Sequence, residues 1–179
     1  MNESREAVPS GPVRILGVDT ALRCTGYGLI DTAGNRFEVV DCGVIRNKAR
    51  LPLSACLRRL AGGIDEIVKE FQPDIAVVEG TFFARNAKTS MILGMARGSV
   101  VSVLAQADIV VYEYSPRRVK QAVCGHGNAG KHQVAMLISQ LLSLRLEDVP
   151  DDATDALAIA VCHAQTMNTV QGLHLPDPL

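Results

Sequence analysis

The chain has 179 residues, 47% hydrophobic and only 4% aromatic, with no tryptophan and a formal net charge of −1. That length and apolar content suffice for one domain with an aliphatic core and exclude a disordered chain. The near-zero charge excludes a globally basic nucleic-acid binder, so any such surface has to be a local patch.

Residues 1–12, MNESREAVPSGP, are polar, are broken by Pro and Gly, and lack the apolar run of a signal peptide; they read as a flexible extension. VRILGVD, Val13 to Asp19, is a short apolar strand ending on a carboxylate. CTGYGLID, Cys24 to Asp31, is a second, glycine-broken strand; TAGN makes a turn, and RFEVVDCGVIR, Arg36 to Arg46, is a third. Turns this short pair consecutive strands antiparallel. Leu53, Leu57, Leu60, Ile64, Ile67 and Phe71 then recur at helical spacing. PDIAVVEG is a buried strand ending on Glu79, NAKTSMILGMARGSVVSVLAQA a second helix, and DIVVYEYSP another strand. Pro116 opens a short helix over Arg117 to Val123, and KHQVAMLISQLLSL and DDATDALAIAVCHAQ form the last two. This order predicts an α/β fold: one mixed five-stranded sheet with helices on both faces, residues 13–168 forming a single domain. Residues 169–179 read as a frayed C-terminal tail. No apolar stretch is long and clean enough to span a bilayer, so no membrane is expected. Five cysteines, an odd number with no C-x-x-C spacing, argue against disulfides or zinc and for a reducing, cytoplasmic setting.

Asp19 and Glu79 both end strands, and the functional crevice of an open α/β sheet lies at the carboxyl ends of its strands. The last helix adds Asp151, Asp152 and Asp155 in its first turn and a half. Carboxylates gathered together repel and take up protons unless a cation neutralises them. Hard oxygen ligands suit Mg²⁺ or Mn²⁺, and a pair of such ions supports phosphodiester cleavage. The competing reading is structural, because acids in a first helical turn are favoured by the helix dipole and free N–H groups. For Asp151 that capping or surface role is preferred. Taken alone, Asp155 reads equally well as a ligand or as a helix-start acid; sharing a face with Asp152 makes a like-charged pair that a cation would relieve.

Other segments carry weaker signals. GHGNAGKH, Gly125 to His132, fits a nucleotide-binding loop until His132 replaces the required hydroxyl, and it follows a helix rather than a strand, so it is set aside. Basic residues cluster at Arg46, Lys48 and Arg50, at Arg85 and Lys88, and at Arg117, Arg118, Lys120 and Lys131. Most surface cations only solvate a face, but two of these groups follow strand ends near the acids, where a phosphate backbone would lie. TFFARN, Thr81 to Asn86, holds two Phe in a polar loop, either a lid on the core or aromatics that stack on or wedge between bases. Gly94 and Gly98 weaken the second helix and call for a close backbone neighbour, either the sheet or a two-fold mate.

ILGVDTALRCTGYG, FQPDIAVVEGTFFARN, LGMARG, VYEYSPRRVKQAVCGHGNAGKHQV and DDATDALAIAVCHA, in this order, resemble the RuvC family of crossover junction endodeoxyribonucleases, the Holliday-junction resolvases. The resemblance runs from about Arg14 to Ala164. It implies a ribonuclease-H-like fold and a homodimer that cuts four-way DNA junctions by symmetric paired nicks in recombination and repair, with two Mg²⁺ per site, replaceable by Mn²⁺. It implies Asp19, Glu79, Asp152 and Asp155 as metal ligands and leaves Asp151 outside. Lys131 and Lys120 match basic residues that act on DNA and support catalysis, and Phe82 an aromatic at the junction centre. Arg85, Lys88, Arg117 and Arg118 extend the DNA surface, and Gly94 and Gly98 fall in the dimerisation region. The implied partners are the branch-migration proteins RuvA and RuvB. This chain departs from the family in having Thr20-Ala21 where Pro-Gly is common and Gly80 where Gln is frequent. Two competing readings share these residues: another nuclease on the same fold, and a junction binder without chemistry.

Overall fold

The computed structural model describes residues 11–80, 86–169 and 175–179. Its elements, in chain order, are β1 (Val13–Asp19), β2 (Cys24–Ala33), β3 (Arg36–Arg46), α1 (Leu53–Phe71), β4 (Ile75–Glu79), α2 (Ala87–Gln106), β5 (Val110–Tyr114), α3 (Pro116–Cys124), α4 (Lys131–Leu141), a 3₁₀ turn (Leu146–Asp148) and α5 (Asp151–Asn168). The five strands form one sheet in the order β3-β2-β1-β4-β5. β1, β2 and β3 pair antiparallel, whereas β4 and β5 run parallel to β1. A two-residue hairpin, Gly34-Asn35, joins β2 to β3; Gly34 takes φ 59°, a left-handed value that glycine adopts without a side-chain clash.

Strand alternation divides the core. Leu16, Val18, Leu29, Ala76 and Val78 pack under α1 and α2 with Leu60, Ile64, Ala96, Val100 and Leu104. Val13, Ile15, Ile30 and Val77 face α3, α4 and α5. From Ala153 to Ala164, α5 is buried at every position but Asp155. A helix enclosed this way is apolar all round, and its alanines let neighbours close in from several sides.

Glycines on β1 and β2 set how close α5 comes. A Cβ on Gly17 would lie 2.1 Å from Ala156 O, and one on Gly26 would lie 1.8 Å from Asp152 O. Gly28 likewise seats Leu157, 2.7 Å from where its Cβ would be. Gly17 pairs with Gly28, and Gly26 with Asp19, so the three form a shallow saddle across two strands. Backbone therefore meets backbone here, with no layer of side chains between. Farther along α5, the buried Tyr114 hydroxyl lies 3.0 Å from His163 Nδ1 and ties β5 to the helix. Burial holds the His163 pKa down to about 4, so the imidazole is neutral at pH 7.

Two ends differ from expectation. α4 stops at Leu141 and not at Leu144, because Ser143 turns left-handed at φ 54° and breaks the ladder. The tail is not frayed throughout: Leu179 N–H donates to Val111 O at 2.9 Å, on the exposed edge of β5. No helix among the described residues is long and apolar enough to cross a membrane.

Candidate metal and nucleic-acid site

Asp19 and Glu79 are the last residues of adjacent parallel strands, with Val18 level with Val78. Both share strand parity with the residues facing α5, so their side chains leave the sheet on that face. The start of α5 lies over Gly26, directly beside Asp19, and carries Asp152 and Asp155 one turn apart. Acids from three elements far apart in sequence thus approach one another.

Their electrostatics reflect that meeting. Burial, then Asp155 and Asp152, push Asp19 up to about 6, against a lowering pull from Lys131. Burial, then Asp19 and Asp155, push Glu79 up to about 7, against Lys120. Lys131, the first residue of α4, places Nζ 2.9 Å from Asp155 Oδ2. That hydrogen bond is the main reason the Lys131 pKa is raised. Lys120 and Lys131 line one cleft with Glu79 and Asp155, floored by Val119, Val134 and Ala158.

Among the described residues, no three His, Cys, Asp or Glu groups stand close enough to hold an ion as placed. The donor chemistry nonetheless fits a hard divalent cation. Every candidate ligand is a carboxylate, and burial, with the charge of neighbouring carboxylates, makes two of them bind protons more tightly. Lys131 now supplies a single positive charge at Asp155.

The other expected site residues divide. Arg117 lies beneath the loop after α3, its Cγ 2.5 Å from where a Gly127 Cβ would be. The Arg118 charge acts on Tyr114 and Cys162, farther along α5 and away from the acids. Lys88 is exposed in the first turn of α2, where its N–H donates to the Asn86 side chain at 2.9 Å. Phe82 and Arg85 lie outside the described residues. Among the described residues, Gly94 and Gly98 have nothing within 4 Å of their would-be Cβ atoms, so the sheet is not the neighbour they make room for. They share an exposed face with Met91 and Met95, opposite the buried Ala96, Val100 and Leu104. Asp151 is exposed and makes no capping hydrogen bond, since Pro150 occupies the cap position. Its charge acts on Lys131 and helps to raise that lysine's pKa.

Sequence reading named Arg46 only within a basic cluster and gave Cys24 no site role; the two pair across β2 and β3 beside the site. Burial and Asp152 raise the Cys24 pKa, and Arg46 opposes them. Only the strand register could have brought them to Asp152. The two family departures have local explanations. Thr25 Oγ1 donates to Ala21 O at 2.5 Å and closes the turn that Thr20-Ala21 opens. Gly80 leaves space filled by Glu113, whose carboxylate pairs with Arg97 of α2.

Comparison with known proteins identifies the family and its fold. The family model for crossover junction endodeoxyribonuclease RuvC matches residues 15–163. Crossover junction endodeoxyribonuclease RuvC of Pelotomaculum thermopropionicum is 45% identical over 150 residues, 84% of this chain and 92% of the relative. That of Desulforamulus reducens is 44% identical over 158 residues, 88% and 97% of the two chains. Among solved structures, Thermus thermophilus RuvC in complex with Holliday junction substrate superposes with a TM-score of 0.84 at 29% identity, covering 93% of this chain and 99% of that one. The yeast mitochondrial Holliday junction resolvase Ydc2 shares the fold, with a TM-score of 0.63 at 14% identity over 88% of this chain and 82% of its own. A match over nearly the whole domain, with relatives far above 30% identity, makes this chain a member of the RuvC family of crossover junction endodeoxyribonucleases.

Proposed function

We propose that the chain resolves four-way DNA junctions by paired, symmetric nicks in recombination and repair, with Asp19, Glu79, Asp152 and Asp155 holding Mg²⁺. The observation that carries this reading is the meeting of β1, β4 and α5 at one cluster of mutually charged carboxylates. When bound, two such ions would supply charge neutralisation and water activation for phosphodiester hydrolysis, and Mn²⁺ would substitute. Asp155, which pairs with Lys131, would hold a cation together with the other three acids. Lys131 then turns to the phosphate and, with Lys120, steadies the negative charge that builds there. The buried walls of β1 and β4 fix Asp19 and Glu79, so neither has to be ordered during the reaction.

The domain spans residues 13–168. Its exposed Met91, Gly94, Met95 and Gly98 face supports a two-fold homodimer, which would set two sites on symmetry-related strands. Arg117, Lys88, Phe82 and Arg85 extend the DNA surface, and RuvA and RuvB are the partners in branch migration. Five free cysteines support a cytoplasmic setting.

Incubation of a synthetic four-way junction with the protein and Mg²⁺ tests the reading, with duplex and RNA–DNA hybrid as controls. Paired nicks on opposing strands are expected. Preferential cutting of the hybrid would replace the junction by another nuclease substrate. Junction binding without cleavage in Mg²⁺ or Mn²⁺ would reduce the chain to a binding module.

A further inference from the structure

The acids have cations on two sides, and only one side enters the reading above. On the β4 side stand Lys120 and Lys131. On the other, the turn after β1 and the loop after β3 leave the same sheet edge and are braced into one unit. Asn47, buried between them, donates from its N–H to Arg23 O at 2.9 Å and from Nδ2 to Leu22 O at 2.7 Å. Arg23 Nη1 donates to Lys48 O at 2.9 Å, and Arg59 Nη2 reaches Arg46 O at 3.5 Å. On this brace Arg23, Arg46, Lys48, Arg50 and Arg59 are all exposed, and none forms an ion pair among the described residues.

An ordinary solvated face would intersperse acids. α1 does so two turns later, where Lys69 meets Asp65 at 2.7 Å. Here no acid occupies the first turn of α1, and Pro52 gives its free N–H groups no side-chain cap. A chain of net charge −1 thus gathers five cations without an ion-pair partner among the described residues, and a helix N-terminus, at one corner; acids return only on its outer side, where Asp41, Glu66 and Glu70 share a groove with Arg46 and Arg59. The corner is continuous with the acids, since Arg46 pairs with Cys24 on β2, two residues from Gly26, on which Asp152 rests. β3 lies two strand spacings from β1, about 10 Å. At 3.4 Å of helix axis per nucleotide, that is about three nucleotides from the cut.

We propose that Arg46, Lys48 and Arg50 form a phosphate-binding shoulder that grips the DNA backbone about three nucleotides from the scissile phosphate, on the side opposite Lys120 and Lys131. This inference rests on the reading of the chain as a junction nuclease. The braced loop holds its charges in place before DNA arrives, so little ordering is needed on binding.

The test is the salt dependence of junction binding by the full chain in EDTA, for wild type and for the triple variant R46Q/K48Q/R50Q. Each lost phosphate contact lowers the log–log slope by roughly 0.9, so the triple variant should lose about 2 to 3. Replacing three backbone phosphates on this side of the cut by neutral methylphosphonates should lower the wild-type slope equally and leave the triple variant indifferent. An unchanged slope, or equal sensitivity of both proteins to the methylphosphonates, overturns the shoulder. Thermal unfolding checks that the variant folds; if it does not, the methylphosphonate arm on wild type alone decides, because an unchanged slope there is equally fatal. Failure of wild type to cut junctions in Mg²⁺ would instead overturn the parent reading.

Discussion

The two faces of the sheet are built on different principles. Under α1 and α2, branched and long aliphatic side chains such as Leu16, Leu29, Leu60 and Ile64 keep helix and sheet apart. Under α5, Gly17, Gly26 and Gly28 remove that spacer, and helix backbone rests on strand backbone. Side-chain layers repack around errors, whereas a backbone contact does not. The face that tolerates least displacement is the one carrying Asp152 and Asp155. Rigidity is concentrated where acids from separate elements have to keep a common geometry.

The strongest way to break this comparison uses one carboxylate from each face. Asp155→Asn should lower junction cleavage by about 10²–10³-fold, the usual loss when a preorganised electrostatic group is removed, while junction binding in EDTA survives. Glu113→Gln, also near the carboxyl end of a strand but paired with Arg97 on the α2 side, should leave the cleavage rate of folded protein within about twofold. Equal losses in single-turnover cleavage would erase the distinction between the faces.

A smaller effect separates spacing from volume. Gly26→Ala would press a Cβ against Asp152 O, 1.8 Å away, and force the start of α5 outward. We expect about 1–3 kcal/mol of lost stability and, from misplacement of Asp152, about 10²-fold slower cleavage. Leu60→Ala on the other face should cost more stability, about 2–5 kcal/mol, yet leave cleavage by the folded fraction near wild type. Urea midpoints and single-turnover rates on the same samples check the inversion. If Leu60→Ala slows chemistry as much as Gly26→Ala, the close-contact argument fails.

Much of this was legible in the sequence, for identifiable reasons. Short apolar runs and short turns mark β1 to β3, and Leu60, Ile64 and Ile67 mark α1 by spacing alone. Asp19 and Glu79 were visible as strand-ending acids because strand order brings carboxyl ends together. The division among Asp151, Asp152 and Asp155 was open in composition and spacing; it depends on which side of α5 meets Gly26. The neighbour of Gly94 and Gly98 was equally open, and their exposure excludes only the sheet. Cys24 and Arg46 were illegible as neighbours of Asp152, since antiparallel register and helix docking both enter that contact.

Stability against pH sharpens the contrast without substrate. Asp19 and Glu79 bind protons more tightly folded, at about 6 and about 7, than at their ordinary 3.8 and 4.5. As pH rises from about 4 to 7 the unfolded chain releases these protons first, so the site withdraws stability over that window. The loss should be on the order of 2 kcal/mol, after allowing for solvent screening of both partly exposed groups. In EDTA, the pH 5 to pH 8 drop in unfolding free energy should be smaller by that amount in Asp19→Asn/Glu79→Gln than in wild type. An identical drop would mean that neither burial nor the neighbouring carboxylates raise these two pKa values in solution.

The smallest predicted effect concerns Lys131, and its sign is the informative part. Its ammonium pairs with Asp155 Oδ2 at 2.9 Å, so a divalent cation drawing on that oxygen would compete with it. The ion pair is half exposed, and such pairs are worth about 0.2–1 kcal/mol; the positive charge also repels an arriving cation. Lys131→Gln should therefore tighten Mn²⁺ binding by a few-fold to about tenfold in calorimetry, where one factor of ten is about 1.4 kcal/mol. Cleavage should move the other way, because charge on the phosphate loses its partner. Arg97→Gln, on the opposite face, should leave Mn²⁺ affinity unchanged. Weaker Mn²⁺ binding in Lys131→Gln would show that the lysine helps to shape the acid cluster, and would end the view that it stands in for the ion.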